Sequence, residues 1–130
     1  MFANFSGFGN TSSDVGTVTI WGVVPGSAMT AELEAFKTAH KEYELVTYAE
    51  KSVDTFDAVL AEAIASGNGP DLIIITQEQL LAQRNKLQVI PFSVIPQRTY
   101  LDTFVPITEL LLKDQGTYGI TLAVAPLLLY

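Results

Sequence analysis

Few side chains in this sequence are suited to chemistry, and those few are aromatic and hydrogen-bonding rather than reactive. Trp21 is the sole tryptophan among 130 residues. It ends the β-prone run Val18 to Trp21 and precedes Gly22, which puts a flat apolar ring at the mouth of a strand. Such a ring can stack on a sugar while neighbouring polar groups bind its hydroxyls. Gln77 and Glu78, in the "TQEQ" of residues 76 to 79, are groups of that kind. Trp21 reads equally as a core-edge aromatic, and Gln77 and Glu78 as ordinary first-turn helix residues. Their expected place beside a cleft favours the ligand-binding set Trp21, Gly22, Gln77 and Glu78.

Reactive constellations are missing. The segment "WGVVPGSAM" after the first strand is not the G-x-G-x-x-G of a dinucleotide site, and no Gly-Lys-Ser/Thr phosphate loop exists. A receiver domain would carry aspartate at the end of its third strand, where Thr76 stands, and no G-x-S-x-G elbow occurs. His40, the only histidine, falls on the apolar stripe of a helix and reads as a half-buried packing residue. Glu32, Glu34, Asp54 and Asp57 read as solvated helix faces or first-turn charges. No nucleophile has a base beside it. We expect no catalysis, no cofactor and no metal.

These residues need elements to position them. A strand at Val18 to Trp21 leads through Pro25 and Gly26 to a helix capped by Ser27, with an apolar stripe of Met29, Leu33, Phe36, His40 and Tyr43. A second strand is expected at Leu45 to Tyr48, then a helix burying Phe56, Leu60, Ala63 and Ile64. Gly67 closes that helix in the left-handed conformation and Pro70 stops it from resuming. Leu72 to Ile75 lacks polar alternation, which predicts a third strand covered on both faces. Thr76 with Gln79 forms a capping-box pattern that starts a short helix fading near Asn85. Beyond it come a brief strand or extended link at Leu87 to Ile90 and a helical turn at Tyr100 to Phe104. A helix from Pro106 carrying Ile107, Leu110 and Leu111, a turn at "KDQGT" and a last strand at Tyr118 to Val124 complete the reading. Alternating strands and helices predict an α/β fold with a doubly wound, mostly parallel sheet. Ligands of such sheets bind beyond the carboxyl ends of the strands, where the strand order reverses. The loops after strands one and three should then lie side by side.

The length fits one domain, residues 17–130, behind a flexible tether of residues 1–16 rich in Gly, Ser and Asn. The apolar fraction of 48% is ample for a core, and the net charge of −7 disfavours nucleic acid and anionic membranes as partners. There is no cysteine, hence no disulfide or thiol chemistry, and no apolar stretch is long enough to span a membrane. The N-terminus lacks the basic start and apolar centre of an export signal.

Three segments carry a family resemblance: "VTIWG" at 18–22, "FDAVLAEAIASGNGPDLIII" at 56–75 and "YGITLAVAPLLLY" at 118–130. Together they resemble the N-terminal lobe of an extracellular solute-binding protein of an ABC importer, of the sugar-binding kind. "ASGNGPD" is the most specific piece. Two positions depart from the family pattern, Thr121 where a proline is usual and Ala125 where an aspartate is usual. The resemblance implies a periplasmic-binding-protein type II lobe, cut before the second lobe, that captures a carbohydrate or similar solute and binds it weakly alone. It also implies the membrane subunits of the importer as partners and an extracellular, cell-surface or periplasmic location for the parent protein. The outgoing tail Pro126, Leu127, Leu128, Leu129 and Tyr130 is expected to dock as a strand, in a second copy, giving a swapped homodimer. Two alternatives stay open: a stand-alone or engineered α/β interaction or scaffold module without a small-molecule ligand, and a small α/β enzyme with an unrecognised site.

Overall fold

The computed structural model describes residues 16–123. The expected tether and the tail Pro126 to Tyr130, with the swapped dimer built on it, lie outside the described residues apart from Gly16. The chain divides between Thr76 and Gln77 into two compact units. It is a small α/β protein. No helix among the described residues is long and apolar enough to cross a membrane.

The first unit is a three-stranded parallel sheet with two helices. β1 (Val18–Gly22) lies between β2 (Val46–Glu50) and β3 (Leu72–Ile74), in the order β2-β1-β3. Gly22 stands opposite Glu50 on one side and Ile74 on the other. α1 (Gly26–Ala39) connects β1 to β2, and α2 (Phe56–Ala65) connects β2 to β3. Because these two crossovers leave in opposite directions, right-handed connections place α1 and α2 on opposite faces of the sheet. α2 buries Phe56 and Leu60, one turn apart, whereas α1 lays only half-buried Met29 and Leu33 toward the sheet. The stripe ends in an aromatic cluster: the Phe36 ring is 4.8 Å from His40 and 5.5 Å from Tyr43.

α2 ends as its sequence predicts. Gly67 has φ of 76°, the Gly67 amide donates to the Ile64 carbonyl at 3.1 Å, and the Asn68 amide donates to Ala63 at 2.8 Å. This is the paired closure of a Schellman motif. Asp71 then fastens the next strand. Its carboxylate accepts from the Thr19 amide at 2.8 Å and the Thr19 hydroxyl at 2.9 Å, while its own amide donates back to the Thr19 carbonyl at 3.0 Å. The carboxylate thus extends the β1–β3 ladder one step before β3 begins. Asp71→Ala should cost about 1–2 kcal/mol, the charge-assisted bonds being partly replaced by water at this exposed site. Chemical denaturation checks it; an unchanged midpoint would remove Asp71 from the stabilising contacts.

Two expectations for this unit fail. Ser27 does not cap α1, which starts one residue earlier, follows Pro25 and has no side-chain cap of its own. Nor is β3 covered on both faces: Leu72 is 55% exposed, and Ile73 and Ile74 are half-buried. β3 has a single strand neighbour, so an apolar run that reads as interior forms an edge instead.

The second unit holds α3 (Gln77–Gln83), β4 (Ile90–Pro91), α4 (Gln97–Thr103), β5 (Leu112–Lys113) and β6 (Gly116–Thr117), with 3₁₀ turns at Arg84–Lys86 and Pro106–Leu111. Its sheet is antiparallel, in the order β4-β6-β5, with "KDQGT" making the β5–β6 hairpin. Tyr100 is fully buried at its centre, its ring 4.8 Å from Phe104 and its hydroxyl donating to the Thr108 carbonyl at 3.3 Å. Buried Thr117 donates to the Gly119 carbonyl at 2.9 Å. Tyr118 to Ala123 carries no strand, contrary to the β-prone composition; β6 ends at Thr117, and the Tyr118 amide adds one further bond, to the Leu111 carbonyl at 2.9 Å. The segment from Pro106 is 3₁₀ rather than α and buries Thr108, leaving Ile107 and Leu110 exposed. The Thr108 hydroxyl bonds back to Val105 at 2.7 Å, which turns that residue inward.

Candidate functional site

The carboxyl end of β1 is held by residues that lie far along the chain. β2 supplies two of them, and the residue just beyond it a third. The Tyr48 hydroxyl donates to the Val24 carbonyl at 2.6 Å, and the Glu50 carboxylate accepts from the Gly26 amide at 2.7 Å. The Lys51 amide donates to the Gly22 carbonyl at 2.7 Å. Glu50 therefore satisfies an orphan donor at the α1 N-terminus and places a negative charge where the helix dipole favours it. The loop from Val23 to Pro25 is pinned at both ends.

Gly22 is buried beneath this network. A Cβ there would lie 2.7 Å from the Tyr48 hydroxyl and 3.0 Å from the Ile74 Cβ, so the absent side chain makes the room that Tyr48 occupies. Burial, and then the Glu50 charge, raise the Tyr48 phenol above its ordinary 10.0. The folded state therefore holds that proton more tightly than the unfolded chain does. The resulting stabilisation is fully present below pH 10.0 and is lost as the pH rises through the folded value. The stability difference between the native protein and Tyr48→Phe should be flat near neutrality and fall above about pH 10. Denaturation across alkaline pH checks it, and a difference constant through that range would remove the linkage.

Trp21 is half-buried on the opposite face of the strand from Gly22, paired with Ala49 and Ile73. Lys51, two residues beyond Ala49, shares that face, and its Nζ lies 4.1 Å from the centroid of the Trp21 ring. The indole is thus not a bare plate: an ammonium occupies one of its faces. Among the described residues no carboxylate lies within ion-pair distance of Lys51. Composition and spacing gave no sign of this pair, because the lysine lies 30 residues from the tryptophan. Only its place one step past a strand end would have pointed to it.

Gln77 and Glu78 are exposed and open α3 in the second unit, while Trp21 and Gly22 belong to the first. Each unit has a cleft among its described residues. One of about 290 Å³ lies between α1 and β2, lined by Met29, Leu33, Lys37, Thr47 and Tyr48. Lys37 there is 3.4 Å from Glu34, and the Tyr48 and Glu50 polar atoms are engaged as described. The other, about 310 Å³ in the second unit, is lined by Phe104, Val105, Thr108 and Leu122 and is mainly apolar. No group of three or more His, Asp or Glu among the described residues is arranged to hold a metal ion. No family model matches the sequence, and no curated protein matches it.

Proposed function

We propose that the chain captures a small solute, a carbohydrate or similar molecule, without catalysing a reaction, as one α/β lobe of the periplasmic-binding-protein type. The observation that carries this reading is the position of Trp21 at the carboxyl end of the central strand of a β2-β1-β3 parallel sheet. The connection that leaves β1 runs to β2, and the one that leaves β2 crosses back to β3 on the far side of β1, so the strand order reverses at β1, where open α/β sheets bind ligands. Trp21 supplies a ring, and the closely packed Gly22 holds the backbone beside it. The "ASGNGPD" segment supports the reading through its closing turn and the Asp71 clasp, which set β3 beside β1. In this proposal the parent protein works outside the cell membrane and delivers its solute to the membrane subunits of an ABC importer.

Calorimetric titration with a panel of mono- and disaccharides tests it. Saturable heats at about millimolar affinity, near −4 kcal/mol, are expected for the native chain and not for Trp21→Ala. Heat is the readout because that substitution removes the only indole. A flat response across the panel would end the reading for this chain. It would favour the second one, an interaction or scaffold module without a small-molecule ligand, for which the exposed Leu110 (70%) and Leu122 (73%) speak.

A further inference from the structure

We infer that the Lys51 ammonium over the Trp21 ring makes this an acidic-solute site, selecting ring compounds that carry a carboxylate, such as uronic acids, over their neutral counterparts. The inference rests on the solute-capture reading and narrows its ligand class. An ammonium has three donors and no acceptor, and the π-face of Trp21 engages its positive charge without accepting a full hydrogen bond. No carboxylate among the described residues lies within ion-pair distance of it, so its donors are available to an incoming anion. The nearest acid along the chain, Glu50, projects from the opposite face of β2 and is hydrogen-bonded by the Gly26 amide. Position is fixed as well as charge. The Lys51 backbone is tied to Gly22 at 2.7 Å and the side chain rests on an indole held within the sheet. Less rotamer freedom is therefore left to lose when a ligand binds. The net charge of −7 works against anions at long range. At physiological salt, however, charges farther away than about 8 Å are largely screened, so the local ammonium dominates at contact.

A carboxylate should find Lys51, and the ring bearing it should rest beside Trp21. Glucuronate and galacturonate, with glucose and galactose as neutral partners, are the probes, titrated at matched ionic strength and followed by Trp21 fluorescence and by heat. Each acid should bind about tenfold more tightly than its neutral partner, the equivalent of about 1.4 kcal/mol of charge pairing. Lys51→Gln should abolish that preference, leaving acid and neutral sugar equal, and Lys51→Arg should keep it. Circular dichroism of both variants confirms the fold. Neutral sugars binding as well as or better than the acids would overturn the inference while leaving solute capture intact. The same holds for an acid preference unchanged in Lys51→Gln. Saturation by none of the four would overturn the inference, and the wider saccharide panel then decides separately whether solute capture survives.

Discussion

Phe56→Ala should lower the stability of the first unit by about 3–5 kcal/mol, the range for emptying an aromatic from a closed core. Phe56 is 1% exposed and Leu60, one turn later, is 3% exposed; together they form the whole fully buried surface of α2. With so few buried side chains, neighbours have little freedom to collapse into the space left behind. Folded domains hold only about 5–15 kcal/mol in total, so this loss takes a large share of the reserve. Urea unfolding followed by Trp21 fluorescence measures it, since Trp21 reports on the same unit. A shift under about 1 kcal/mol would mean that Phe56 fills a site able to repack.

Gly116→Ala should be nearly as damaging in the second unit, by about 3 kcal/mol. Gly116 begins β6 and stands opposite Pro91 of β4. A Cβ at this position would run into the backbone carbonyl of Ile90 and come within 2.6 Å of the Val89 Cγ1. The Ile90 backbone is part of the β4–β6 pairing and cannot retreat without opening the small sheet. The glycine is required here for close backbone approach, not for an unusual φ. Amide exchange should quicken at Ile90, Phe92, Gly116 and Thr117, around the β4–β6 pairing. Protection equal to that of the native chain would show that the strands can separate by the needed distance at little cost.

Some of the architecture was legible because its causes are local. Gly67 and Pro70 announce a helix end wherever they follow an apolar helical stripe, and the Schellman bonds at Gly67 and Asn68 realise it. The strand, helix, strand, helix, strand rhythm of residues 18 to 75 gave the parallel sheet for the same reason. What stayed hidden depends on pairs distant in sequence. Ser27 looked like the cap of α1 by type, yet Glu50, 24 residues away, does that work from a neighbouring strand. Leu72 to Ile75 showed that a strand forms but not whether anything covers it, since burial is a property of neighbours. In the second unit "YGITLAVA" has strand composition, but the strand ends at Thr117, past which the Tyr118 amide bonds to the Leu111 carbonyl and the Thr117 hydroxyl to Gly119. At the proposed site, the place of Trp21 near a strand end is legible in the sequence. Lys51 was missed because nothing about a lysine following Glu50 announces an indole beneath it.

The Glu50 bond to Gly26 also bears on how the protein is made. A ribosome delivers the N-terminus first, at about 5–20 residues per second. The acid that satisfies the α1 N-terminus lies 24 positions downstream, so it leaves the exit tunnel roughly 1–5 s after the helix it serves. During that interval the Gly26 amide has only water as a partner, and Tyr48 has not yet reached the Val24 carbonyl. Thr19 waits longer for its clasp, since Asp71 follows by 52 residues. The nascent chain therefore carries an unfastened helix until β2 is synthesised, and a β1 without its second edge until β3 is.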